Sequence, residues 1–101
     1  AGTNRLPALP DTPTTAEAGL PEYQASGWFA MQVPHGTPPD IVARINREMA
    51  AALADPTVRE RFEQQGAEPR VISPQDAAKF TSSEIVKWRD IIQKAGIPQI
   101  Q

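Results

Sequence analysis

Proline decides where this chain can hold regular structure. In Thr37-Pro38, Asp55-Pro56 and Ser73-Pro74 a residue able to cap a helix stands directly before a proline and ahead of an amphipathic stretch. A proline at the first helical position loses no useful N–H, and its φ already suits the helix. These pairs predict three helix starts, with Thr37, Asp55 and Ser73 as caps. In "PDIVARINREMAAALAD", Ile41, Ile45, Met49 and Leu53 recur every four residues, Val42 and Ala52 widen the stripe, and Arg44, Arg47 and Glu48 lie off it. "TVRERFEQQ" turns Val58 and Phe62 inward and ends at Gly66. The last and longest helix carries Ala77, Phe80, Ile85, Trp88, Ile91, Ile92 and Ala95 on one side, with Gly96 placed to adopt the left-handed terminator and Ile97 to pack back.

Upstream, Pro7, Pro10 and Pro13 bias the residues before them toward extended geometry and favour an extended, turn-broken course. One short helix fits there, capped by Thr14, with Glu17 completing a capping box and Gly19 stopping it. "YQASGWFAMQV" then alternates: Trp28, Ala30 and Gln32 on one face, Phe29, Met31 and Val33 on the other. This pattern predicts a strand over 24–33, covered on both sides. "AEPRVIS" predicts a second, short strand weakened by Pro69. The chain divides near Pro34 into a proline-rich segment (1–22), a strand (23–34) and a helical portion (35–101). The fold class expected is α/β, with three long helices and about two strands.

Charge and composition narrow the chemistry. Ten basic residues against twelve acidic ones leave a net charge of −2, which is no footprint for nucleic acid. There is no cysteine, so disulfides and thiolate metal sites are excluded. No stretch approaches the roughly 20 apolar residues of a membrane span. His35 is the only histidine and lies in a turn, without a nucleophile and orienting partner in view. Glu60 and Glu63, at helical spacing beside Arg59 and Arg61, read as part of a solvated charged face rather than as an acid/base pair. No metal set and no cofactor motif is present, and no glycine-rich loop opens a helix. The residues alone point to a non-enzymatic unit. An independent alternative is a small helical module that dimerises through Ile85, Trp88 and Ile92 and takes no small ligand.

The order of motifs adds to this. "RLPALPDTPTTAEAGLPEY", "GWFAMQVPHGTPPDIVARINREMAAALADPTVRERFEQQGAEP" and "SPQDAAKF…EIVKWRDIIQKAGI" together resemble the C-terminal part of the Bug-type extracytoplasmic solute receptors of tripartite tricarboxylate transporters. The resemblance covers nearly the whole chain and rests on the succession of motifs rather than on any one. It implies a two-lobed periplasmic-binding-protein fold, with 1–22 coming from the second lobe, 23–34 as the crossing strand and 35–101 on the first lobe. It implies a periplasmic receptor for a small organic anion, commonly a carboxylate, delivered to a membrane permease, with a signal peptide on an N-terminal part not included here. The loops that hold the ligand are expected on that part too. Gly27 and Trp28, matching the family's "GW" strand, are the candidate hinge or cleft-wall residues. Helices meant to rest on further structure would leave apolar stripes bare, so self-association of this piece is expected.

Overall fold

The computed structural model describes residues 2–100. Three helices form where the capping pairs stand: α1 (Pro39–Ala54), α2 (Pro56–Gln64) and α3 (Pro74–Lys94). Asp55 caps α2 by accepting hydrogen bonds from the backbone N–H groups of Thr57 (2.9 Å) and Val58 (3.1 Å). Ser73 caps α3 by accepting from Asp76 N–H at 3.1 Å. Thr37 does not cap α1. Its hydroxyl and its N–H both donate back to the Pro34 carbonyl, closing a tight turn, and the helix begins two residues later behind Pro38 with no side-chain cap. Gly36 occupies that turn at φ 84°, a conformation open to glycine at little cost.

The helix ends obey the same local chemistry. After α3, Gly96 takes φ 65°, its N–H reaches the Gln93 carbonyl, and the Ile97 N–H reaches Ile92. This pair of bonds satisfies carbonyls that the helix leaves open. Gly66 and Ala67 close α2 onto Glu63 and Phe62 in the same way.

The expected α/β architecture is corrected by the structure. Among the described residues there is no strand; the fold is three helices joined to irregular segments. Residues 24–33 alternate as a strand would, but among the described residues no segment pairs with them in a ladder. Alternation states which faces a segment can bury, whereas a strand also needs a partner's N–H and C=O groups. Phe29 and Met31, on the face expected to be covered, are 102% and 64% exposed. "AEPRVIS" forms no strand either. It runs beside α1, where the Ile72 carbonyl accepts from the Asn46 side-chain amide at 2.9 Å.

The proline-rich segment is turned rather than extended. Leu6–Leu9, Leu9–Thr12 and Leu20–Tyr23 each close by an N–H to carbonyl bond, and Pro7, Pro10 and Pro21 stand second in these turns. Proline's fixed φ suits that position. Thr14 and Glu17 do form the reciprocal box, Thr14 N–H to Glu17 Oε2 at 2.8 Å and Glu17 N–H to Thr14 Oγ1 at 3.2 Å. The box opens a single turn that ends at Gly19, not a helix.

α1 is the hub, touching both α2 and α3. Its half-buried side is Val42, Ile45, Asn46, Met49, Ala50 and Leu53. The covered side of α3 is Ala77, Phe80, Thr81, Glu84 and Lys87. The apolar residues expected inward near its end remain open: Ile85 is 53% exposed and Trp88, Ile91 and Ile92 about 40%. No described residue is fully buried. The accessible surface is 8787 Å², where a folded monomer of this mass would show about 5,600 Å². The radius of gyration is 16.8 Å, against about 13 Å for a close-packed chain of this length.

Candidate functional site

The two residues singled out in the sequence sit where the irregular segment meets α3. The Trp28 indole and the Phe80 ring meet edge to face, centroids 5.2 Å apart and planes at 74°. Such an arrangement sets the positive edge of one ring against the negative face of the other. Trp28 keeps 39% of its surface exposed, so one side is packed and the other open. Gly27 has negative φ, and a Cβ built there would meet nothing within 4 Å. Neither backbone geometry nor crowding in this structure demands glycine at that position.

Close by, α3 offers a short polar relay. Lys87 Nζ donates to the Gln24 carbonyl at 2.6 Å and lies 3.8 Å from Glu84 Oε1. The other oxygen of Glu84 accepts from Trp88 Nε1 at 3.0 Å, and Lys87 Nζ stands 5.4 Å from the Trp88 ring centre. One carboxylate thus orients both a cation and an indole.

A shallow groove of about 470 Å³ opens elsewhere, between Met31 and α1. Its lining includes the apolar Ile41, Ile45 and Met49 and the charged Asp40, Arg44 and Glu48. Trp28 does not line it. Two carboxylates against one guanidinium give the lining a negative balance, which disfavours an anion. Among the described residues, no group of three or more His, Cys, Asp or Glu side chains is placed to hold a metal, and no helix is long and apolar enough to cross a membrane. His35 is exposed in the Pro34–Thr37 turn.

Three contributors were not singled out in the sequence. Arg5 donates from Nε to both Glu17 oxygens (3.2 and 2.9 Å) and from a terminal nitrogen to the Pro10 carbonyl (2.9 Å), folding the proline-rich segment on itself. The Arg5 bond, and then the Thr14 N–H, hold the Glu17 carboxyl well below its ordinary value of 4.5, at about 2. Asn46 ties α1 to residue 72, and Lys87 ties α3 to residue 24. Only Asn46 left a trace in the sequence, as a polar residue within an apolar stripe.

The family model described as "Tripartite tricarboxylate transporter family receptor" matches residues 1–97. The chain belongs to this family. Its members are transport receptors, not enzymes. The chain is 38% identical over 94 residues to protein BugT of Bordetella pertussis, which covers 93% of this chain and 29% of BugT. It is 38% identical over 90 residues to the UPF0065 protein of the tcbD-tcbE intergenic region of a Pseudomonas species, covering 88% of this chain and 27% of the relative. It is 31% identical over 100 residues to a UPF0065 protein of Cupriavidus necator, covering 99% and 30%. The chain therefore spans less than a third of the length of each of these relatives. No solved structure gives a significant match.

Proposed function

We propose that this chain is part of an extracytoplasmic solute-binding receptor that captures a small organic anion, carboxylates being the class expected, and presents it to a membrane permease in the periplasm. The family match over residues 1–97 carries this reading. The work is binding and release, with no bond made or broken, so the chain needs no nucleophile or base. Within the receptor, residues 1–22 belong to one body, 35–101 to another, and 23–34 cross between them. In support, the side-chain hydrogen bonds of Arg5, Thr15 and Glu17 all close within residues 5–23, and Lys87 reaches across to Gln24 only beyond that point. Gly27 and Trp28 then lie on the crossing, with the open side of Trp28 available as a wall.

The anion is held chiefly by polypeptide outside these 101 residues. The groove beside α1 has the wrong charge, and the crossing segment offers the ligand no charged side chain between Gln24 and Val33. Calorimetric titration with a panel of dicarboxylates tests both statements. A family-length receptor carrying this sequence is expected to bind one of them at micromolar concentration, and the 101-residue chain none. Micromolar binding by the short chain, or none by the long one, overturns the reading.

The same chain on its own is expected to self-associate. Its accessible surface stands about 3,000 Å² above that of a folded monomer of its mass, several times the roughly 800 Å² per partner that a stable interface covers.

A further inference from the structure

We propose that Phe80 and Lys87 of α3 are the two anchors of a strap, seating residues 24–28 antiparallel along the helix and fixing the direction in which Trp28 faces. Neither the family match nor the proposed ligand assigns a role to either residue. The inference also stands apart from them, because the seat is made and measured in the chain without ligand.

The geometry points to this in three ways. First, order reverses across the contact. Gln24 meets Lys87, and Trp28 meets Phe80. Second, the length suffices. Four extended residues span about 13 Å, and seven helical residues rise about 10.5 Å, so the segment is long enough to reach from one anchor to the other along α3. Third, the anchors share a face. Phe80, Glu84 and Lys87 recur at helical spacing on the covered side of α3, and Ala25 between the anchors is half-buried.

The chemistry of each anchor is distinct. Phe80 holds Trp28 through ring geometry. Lys87 holds the Gln24 carbonyl through one of its three N–H donors, and its remaining surroundings explain why it stays. Glu84 Oε1 stands 3.8 Å away and the Trp88 ring 5.4 Å away, both attractive to an ammonium. The Lys87 side chain is 35% exposed and the Glu84 side chain 16%. A lysine on a merely solvated face would be more open and would gain nothing by aiming at a carbonyl. Lys87 is thus a positioning residue: it acts on Trp28 through the backbone of residues 24–28. Between the anchors, Gly27 is uncrowded: a Cβ there would meet nothing within 4 Å.

Proton NMR of the dilute 101-residue chain tests the proposal, reading the cross-relaxation between the Trp28 and Phe80 rings while far-UV circular dichroism reports the helices. The unmodified chain should show the contact. Lys87→Met keeps the aliphatic stem and removes the ammonium. It should weaken the contact about threefold or more with helicity unchanged, the size expected of a charge-assisted bond discounted for its exposure. Lys87→Arg should restore it. Val86→Ala, on the opposite side of α3, should leave it unaltered. Absence of the contact in the unmodified chain, its persistence in Lys87→Met, or an equal loss in Val86→Ala would each overturn the strap.

Discussion

The side-chain amide of Asn46 donates to the Ile72 carbonyl across 2.9 Å, joining the middle of α1 to the segment that leads into α3. This is a half-buried bond, and it spends the carbonyl that a strand over "AEPRVIS" would have offered to a neighbour. Asn46→Ala should lower stability by about 1 kcal/mol. Asn46→Asp should lower it further, because it replaces a donor by a carboxylate facing a carbonyl. Urea titrations followed by circular dichroism measure both, and equal midpoints for the three chains would show that the bond carries no load.

The two observed caps and the missing one separate cleanly. Asp55→Ala and Ser73→Ala each remove an acceptor that satisfies helical N–H groups, and each should cost about 1 kcal/mol. Thr37→Ala removes only a turn bond to Pro34. Its thermal midpoint should fall less than that of either other variant, which a melting series resolves.

Glycine substitution should give opposite answers at two sites. Gly96 lies at φ 65°, where a Cβ strains the backbone, so Gly96→Ala should destabilise the end of α3 by about 1 kcal/mol. Gly27→Ala meets no atom and needs no left-handed backbone, so it should be neutral in this chain. Melting temperatures of the two variants give the comparison. If Gly27→Ala still impairs ligand binding in a family-length receptor, the glycine serves motion on the crossing rather than the seat seen here.

Acid should loosen the proline-rich segment over a defined window. The folded Glu17 carboxyl titrates at about 2 and its ordinary value is 4.5. A depressed carboxylate stabilises fully above the ordinary value and loses that contribution as pH falls toward the folded one. The Arg5–Glu17 contact should therefore be intact at neutral pH and weaken between about 4.5 and 2. NMR titration of Glu17 should show the low midpoint, and Arg5→Met should move it up toward the ordinary range. A midpoint already near 4.5 in the unmodified chain contradicts the pairing.

Sedimentation of the 101-residue chain should be concentration-dependent. The exposed Ile85, Trp88, Ile91 and Ile92 of α3 and the fully exposed Phe29 are the surfaces at issue. Ile85→Glu with Ile92→Glu should shift the distribution toward monomer. A single compact monomer at high concentration would count against association altogether.

What could be read from the residues alone was what is decided within a few residues. Asp55-Pro56, Ser73-Pro74, Gly66 and Gly96 act on their own turns, and all four did what their types allow. Thr37 was misread because two acceptor-rich local arrangements compete there, and the turn to Pro34 prevails. The strands failed for a different reason: alternation over 24–33 reports side-chain faces, and pairing depends on a partner that no local pattern reveals. The expected inward stripe of α3 holds at Ala77 and Phe80 and departs from the structure beyond them for the same reason. Glu84 and Lys87 are covered because Trp88 and Gln24 reward their polar ends, at partners up to 63 residues away. Long side chains that cover surface while satisfying a charged tip escape any reading by hydropathy.

Asp55 ends α1 and begins α2, and Pro56 follows at once, with no N–H to let the first helix run on. The elbow between the two rods is thus one residue long, with little more than its own φ and ψ as axles. A shift of α2 therefore has only one residue of connection in which to be taken up before it reaches α1, and α1 in turn is tied by Asn46 to the segment leading into α3, against which Trp28 packs.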